Sequence, residues 1–151
     1  MSLITDKVFY RALKSNAELV GAVGNRIENT DIPVPDEDYL NEPIPYIIVT
    51  YDGMQNEGLT KDNSYEGDTD RVQISIDVVA ENRDELGMLT NMVRETIIQF
   101  FENYEPPTDP TEEDLSPLIP DDYQITASAV GYNSVRPCYY QTLSYNCDTT
   151  P

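Results

Sequence analysis

Between residues 71 and 101 the hydrophobic period of the chain changes from two to between three and four, and a strand running directly into a helix accommodates that change. Over residues 71–80, Val72, Ile74, Ile76 and Val78 alternate with Gln73, Ser75 and Asp77, as in a strand with one packed and one wet face. Asn82 and Glu85 then stand three apart, as in a capping box, and Leu86, Leu89, Val93, Ile97, Phe100 and Phe101 follow at helical spacing. The spacing predicts a long helix over residues 82–101. Its single apolar stripe has to be buried, and the sheet containing the preceding strand is the nearest partner.

The other segments supply the rest of that sheet. Residues 46–51 (Tyr-Ile-Ile-Val-Thr-Tyr) read as a strand covered on one face or both, starting where Pro33, Pro35, Pro43 and Pro45 leave off. Residues 123–130 alternate again, Gly131, Tyr132, Asn133 and Ser134 offer turn residues, and 138–147 form a tyrosine-rich last strand, so a C-terminal hairpin is expected. Ser2 can cap a short helix carrying Ile4, Val8, Phe9, Ala12 and Leu13. Asn16 offers a second cap, and Gly21 and Gly24 are expected to end that second helical stretch. Residues 29–45 read as extended connection. The prediction is a single α+β domain over residues 1–151, an antiparallel sheet of about four strands packed against one long helix, with a short N-terminal helical region. Residues 53–70 form a hairpin arm or a loop, and 104–122 a solvated, proline-rich, acidic insertion without a basic residue.

Composition narrows function by exclusion. Nine Lys and Arg stand against 28 Asp and Glu, a formal charge of -19, so a surface that grips DNA phosphates or anionic lipid as a whole is excluded. The chain has no histidine, which removes the usual general base near neutral pH, the nucleophile pairs built on it and most zinc sites. No stretch approaches the ~18 apolar residues of a membrane span, and residues 1–7 lack the basic, then apolar, pattern of a signal peptide; a soluble protein made in a cytoplasm is expected. Cys138 and Cys147 lie on one predicted strand, about 30 Å apart and far beyond the ~7 Å limit for a bridge, and read as free thiols in a reducing compartment.

Residues 62–70 place oxygen side chains at alternate positions with Gly67 sixth, as an EF-hand loop does. Gln73 occupies the twelfth position, where calcium needs a bidentate carboxylate, and a strand follows where that motif requires a helix. Paired carboxylates could run glycoside hydrolysis without histidine, but nothing selects a pair among 28 and no tryptophan is present to stack on a sugar. Gly21-Ala22-Val23-Gly24 lacks the lysine of a phosphate loop. The scarcity of basic residues draws attention to Arg26 and Arg71, which either pair with a nearby carboxylate or dock against an acidic patch of a neighbouring subunit. Among the 11 tyrosines, Tyr139, Tyr140 and Tyr145 admit the same two readings, core edge or subunit interface.

Three stretches resemble the tail-completion or tail-terminator family of long-tailed bacteriophages, small proteins that close the tail tube at the head-to-tail joint. They are the N-terminal helix running through Ala12-Leu13 and Leu19-Val20 to Gly24-Asn25-Arg26-Ile27; Ile44-Pro45-Tyr46-Ile47-Ile48-Val49 after its proline-rich lead; and residues 72–80 passing straight into the helix with Leu86, Leu89 and Val93-Arg94. The resemblance implies a ring, commonly of six copies, with no enzymatic activity and no cofactor or metal. It implies tail-tube and head-connector proteins as partners and a place in the virion, after assembly in the bacterial cytoplasm. Carboxylates lining such a ring would keep DNA from sticking as it passes; the candidates are Asp62, Glu66, Asp68 and Asp70, and Glu112 and Glu113 of the insertion. The alternative from a different class is an acidic DNA mimic that occupies a DNA-handling protein, which requires carboxylates spread over helix faces.

The missing twelfth ligand makes a measurable difference. A ligand at a hundred times its Kd adds about 2.7 kcal/mol, a plain shift in a thermal melt. Calcium is expected to leave the melting temperature nearly unchanged, and a calcium-specific rise abolished by Asp62→Ala would refute this reading of the loop.

Overall fold

A computed structural model describes residues 5–30, 44–57, 69–103, 122–135 and 137–149. Its first helix, α1 (Thr5–Lys14), buries Val8, Phe9, Ala12 and Leu13, with Asp6 in the first turn and Arg11 and Lys14 in the last, charges that suit the helix dipole. The chain then turns at Asn16, whose side-chain oxygen accepts hydrogen bonds from the backbone N–H groups of Glu18 (3.0 Å) and Leu19 (3.3 Å) and starts α2 (Ala17–Ala22). The amide nitrogen of Asn16 donates to Thr96 Oγ1 (2.8 Å), which donates to the Met92 carbonyl (2.6 Å), so one side chain caps α2 and ties it to the long helix. Gly21 lies within α2 and does not end it. The left-handed exit is made by Gly24 (φ 60°) and Asn25 (φ 66°).

This exit feeds β1 (Ile27–Thr30), which pairs in parallel with β2 (Tyr46–Glu57). The expectation that residues 29–45 are all connection is therefore corrected at its start. Asn29 explains why so polar a strand holds: its amide donates to Asp6 Oδ2 (2.8 Å) and to the Val49 carbonyl (3.2 Å), joining β1 to α1 and β2. β2 runs antiparallel to β3 (Thr69–Ala80), with Asp52 the extra residue of a bulge between Tyr51 and Gly53, where φ of 145° calls for glycine. Residues 53–57 and 69–70 thus belong to the sheet, and any arm is confined to 58–68, outside the described residues.

After β3 the chain enters α3 (Arg83–Asn103), with Asn82 Oδ1 accepting from the Glu85 N–H (2.8 Å), the predicted cap. Past the insertion, which lies outside the described residues except for Asp122, come β4 (Asp122–Ala127), β5 (Gly131–Asn133) and β6 (Cys138–Thr149). The strand order is β1-β2-β3-β6-β4, with β5 also on β6, giving six strands among the described residues, of which only the β1–β2 pair is parallel; the expected antiparallel sheet of about four strands is corrected by the short edge strands β1 and β5. Gly131, Tyr132 and Asn133 form a strand where the sequence suited a turn; the reversal lies between Asn133 and Cys138, which still pair.

All the helix contacts gather on one side of the sheet. Phe9, Leu13, Leu19, Ile47, Val49, Ile74, Ile76, Val78, Leu86, Leu89, Val93, Ile97, Leu143 and Tyr145 form one buried cluster between α1, α3 and the strands. A smaller set on the opposite face, Tyr46, Ile48, Val79 and Cys138, covers one end only, so the start of β2 is packed on both faces. Ile74→Asp should unfold the subunit, because an unpaired charge in this layer costs several kcal/mol against a total of about 5–15. Asn16→Ala should cost about 1–3 kcal/mol, one cap and one further hydrogen bond. Denaturant titration of both variants measures the two effects, and near-normal stability of Ile74→Asp would show that the wrong face has been assigned.

Candidate functional site

The face of the sheet turned away from the helices carries the accessible chemistry. Every second residue of β3 and β6 points there: Arg71, Gln73, Ser75 and Asp77 from one strand, Tyr140, Thr142, Ser144, Asn146 and Asp148 from the other. Arg71 Nε meets Asp148 Oδ1 at 3.2 Å across the strands, with half of the Arg71 side chain exposed. Ser75 donates to the Asp52 carboxylate, which the β2 bulge brings beside it, and Thr142 Oγ1 donates to Asp77 Oδ1 at 2.5 Å. Burial pushes the Asp77 carboxyl above its ordinary value of 3.8; the Thr142 hydrogen bond opposes that shift and the charge of Asp52 adds to it. Toward the apolar end, Tyr46, Ile48, Val79, Cys138 and Tyr140 line a shallow hollow of about 340 Å³ with Asp77, Asn133 and Thr142.

The residues singled out from the sequence fall in separate places. Arg26 Nε donates to the Pro45 carbonyl (2.8 Å) and its own carbonyl accepts from the Ile47 N–H (2.9 Å), so this arginine holds the entry to β1 against the start of β2. Arg71 sits at the far end of β3 against its carboxylate. Tyr139 is half-buried on the helix side, its ring 5.1 Å from that of Tyr132. Tyr140 is 45% exposed and lies over Gly131, where any Cβ would collide with its ring. Tyr145 is corrected: it is fully buried, 5.0 Å from Phe9 and 6.1 Å from Tyr123, and belongs to the subunit's own core, because its position in β6 faces the helices. Asp70 is buried at the base of its loop, whereas Asp62, Glu66, Asp68, Glu112 and Glu113 lie outside the described residues.

Reactive groups are muted. Cys138 and Cys147 are unbridged and buried, on opposite faces of β6, and burial pushes the Cys147 thiol up to about 12, so it stays protonated at neutral pH. Burial likewise raises the Tyr145 phenol, whose hydroxyl has no hydrogen-bond partner among the described residues. No group of three or more Cys, Asp or Glu side chains among the described residues could hold a metal ion. Sequence reasoning missed the Asp52–Ser75 and Asp77–Thr142 contacts. The alternation of residues 71–80 marked Ser75 and Asp77 as outward-facing, but their partners depend on a bulge and a strand pairing that leave no local signal.

The fold and this face define a small α+β domain with a mostly antiparallel sheet, helices on one side and a largely polar surface on the other. No family model matches the chain, and no curated protein does. Among solved structures it is similar to a chain in the virion of a native gene transfer agent particle, with a TM-score of 0.58 at 12% identity, over 95% of this chain and 92% of that one. The likeness is one of fold, and it runs nearly end to end in both chains.

The raised Asp77 carboxyl has a consequence for stability. With its folded pKa above its unfolded one, the folded state holds the proton more tightly, so stability falls as pH rises from about 4 through the folded value and stays reduced above it. Asp77→Asn should therefore raise the melting temperature at pH 7 while keeping an acceptor for Thr142, and the gain should shrink toward pH 3, as measured by melts across that range.

Proposed function

We propose that this chain is a structural virion protein that forms a ring, of six copies, at the head-proximal end of a phage tail. There it completes the tail and joins it to the head connector while DNA passes through. The observation that carries this reading is the near end-to-end fold likeness to a chain of a virion particle, which agrees with the family resemblance in residues 3–101. Its partners are further copies of itself, the tail-tube protein and the connector; the role is architectural, with no reaction and no cofactor assigned. The DNA-mimic alternative requires carboxylates spread along helix faces. On α3, by contrast, the exposed Asp84, Glu95 and Glu102 are interspersed with Arg83 and Arg94.

Strand pairing adds support for an acidic opening. Glu57 pairs with Thr69, Asp70 with Thr149, and Asp122 with Asp148, so the segments 58–68 and 104–121 both join the sheet at the same end. At that end Asp70 is buried and Asp148 is paired with Arg71, so the charge that would repel a duplex, itself carrying one charge per ~1.7 Å, comes from the two acidic segments. Electron microscopy of the purified protein should show rings, and monodisperse monomers at every concentration would refute the reading. Lysine at Asp62 and Asp68, or at Glu112 and Glu113, should leave assembly intact. Only the pair that faces the opening should slow DNA passage, less so as salt rises. Normal passage with both pairs replaced would reduce these charges to a role in solubility.

A further inference from the structure

We propose that the edge of the sheet formed by β4 and β5 receives a strand from a second copy of this chain, the β1 edge of its neighbour. This deepens the ring reading and rests on it. Among the described residues β4 and β5 pair only with β6, and β1 only with β2, so they are the two margins of the sheet. Margins of this kind are usually blunted by charge, proline or a cover. Residues 123–135 contain no charged residue and no proline, in a chain where 25% of residues are charged. Core burial does not account for this, since Gln124, Thr126, Ala127, Ser128 and Ala129 are all exposed. Copies carrying a charge of -19 repel at close range unless the contact itself is low in charge, and from Tyr123 to Val135 this margin carries none, leaving Asp122 at the start of β4 and Glu28 on the receiving β1 as the charges to be accommodated.

The geometry fits strand addition. Ser128 turns its N–H to the Thr142 carbonyl (2.9 Å), and its hydroxyl accepts from the Thr142 N–H (3.0 Å), so at this position the backbone faces β6. Alternation along an antiparallel pair then turns the N–H and C=O of Tyr123, Ile125 and Ala127 outward to the open side. Tyr123 and Ile125 are half-buried against the helix-side core, with Phe101 5.6 Å from Tyr123, and form an apolar lip for the side chains of an added strand. Further along, Gly131 leaves the Tyr140 ring room against the backbone, space that any Cβ there would take. Head-to-tail contact between this margin and β1 of the next copy uses both open edges, so a closed ring has none left.

The test separates this inference from the ring itself. Ala127→Pro removes an N–H that the subunit's own sheet does not use and a side chain that is exposed; Ala127→Lys places a charge at the same spot. Both should melt within a few degrees of wild type and raise the concentration for half-assembly about tenfold or more, read by sedimentation, while Met88→Lys on the exposed face of α3 leaves assembly unchanged. In the assembled wild type, the amides of Ile125 and Ala127 should exchange with deuterium far more slowly than in dissociated chains, and added salt should promote assembly by screening the like charges. Rings that form normally from both Ala127 variants, rapid exchange at these amides in the ring, or assembly that stops at an edge-to-same-edge dimer would each overturn the inference. A wild-type chain that stays monomeric throughout would instead bring down the ring reading.

Discussion

The pairing of β3 with β6 from Asp70 and Thr149 to Ala80 and Tyr139 is the contact on which the rest of the molecule depends. It sets two long, central strands side by side, so that Ile74 and Ile76 lie in register with Tyr145 and Leu143. The apolar row this creates is what α1 and α3 cover: Phe9 reaches Tyr145 at 5.0 Å and Phe101 at 5.3 Å, and Phe101 reaches Tyr123. A slip of one residue in this register would turn β6's buried row outward and leave both helices without a floor. The same pairing fixes the far side, where Arg71 meets Asp148 and Asp77 meets Thr142.

Elements whose stability is local were legible in the sequence. The strand at 71–80 and the helix that follows show in periodicity because each buries one face along its whole length, and the Asn82 cap showed for the same reason. β1 did not show, because Ile27 is its one apolar residue and its place is secured by Asn29 reaching Asp6 and Val49, far away in sequence. β5 was misread as a turn because glycine and asparagine suit both. What decides it is Tyr140, whose ring needs the space that Gly131 leaves. Tyr145 was one of three equivalent tyrosines until the register of β6 assigned it inward and Tyr140 outward.

The candidate surfaces were less legible than the fold, for a physical reason. Carboxylates on a chain this acidic carry no positional information until the strands that hold them are paired. Once they are, the pattern is one of opposed ends. Acidic groups and the roots of both acidic segments gather where β2 ends and β3 begins, whereas Tyr132, Tyr139, Tyr140 and Cys138 lie toward the other end of β6.

The double role of Asn16 bears on how the molecule ages. Conversion of its amide to a carboxylate, the ordinary deamidation of asparagine, would leave an oxygen to accept from Glu18 and Leu19 and so preserve the start of α2. The nitrogen that donates to Thr96 would be gone, and the Thr96 hydroxyl would be divided between the new carboxylate and the Met92 carbonyl it now serves. A one-dalton change would therefore keep every helix and loosen the joint between two of them, a lesion that circular dichroism would overlook and proteolysis at the α1–α2 corner would report.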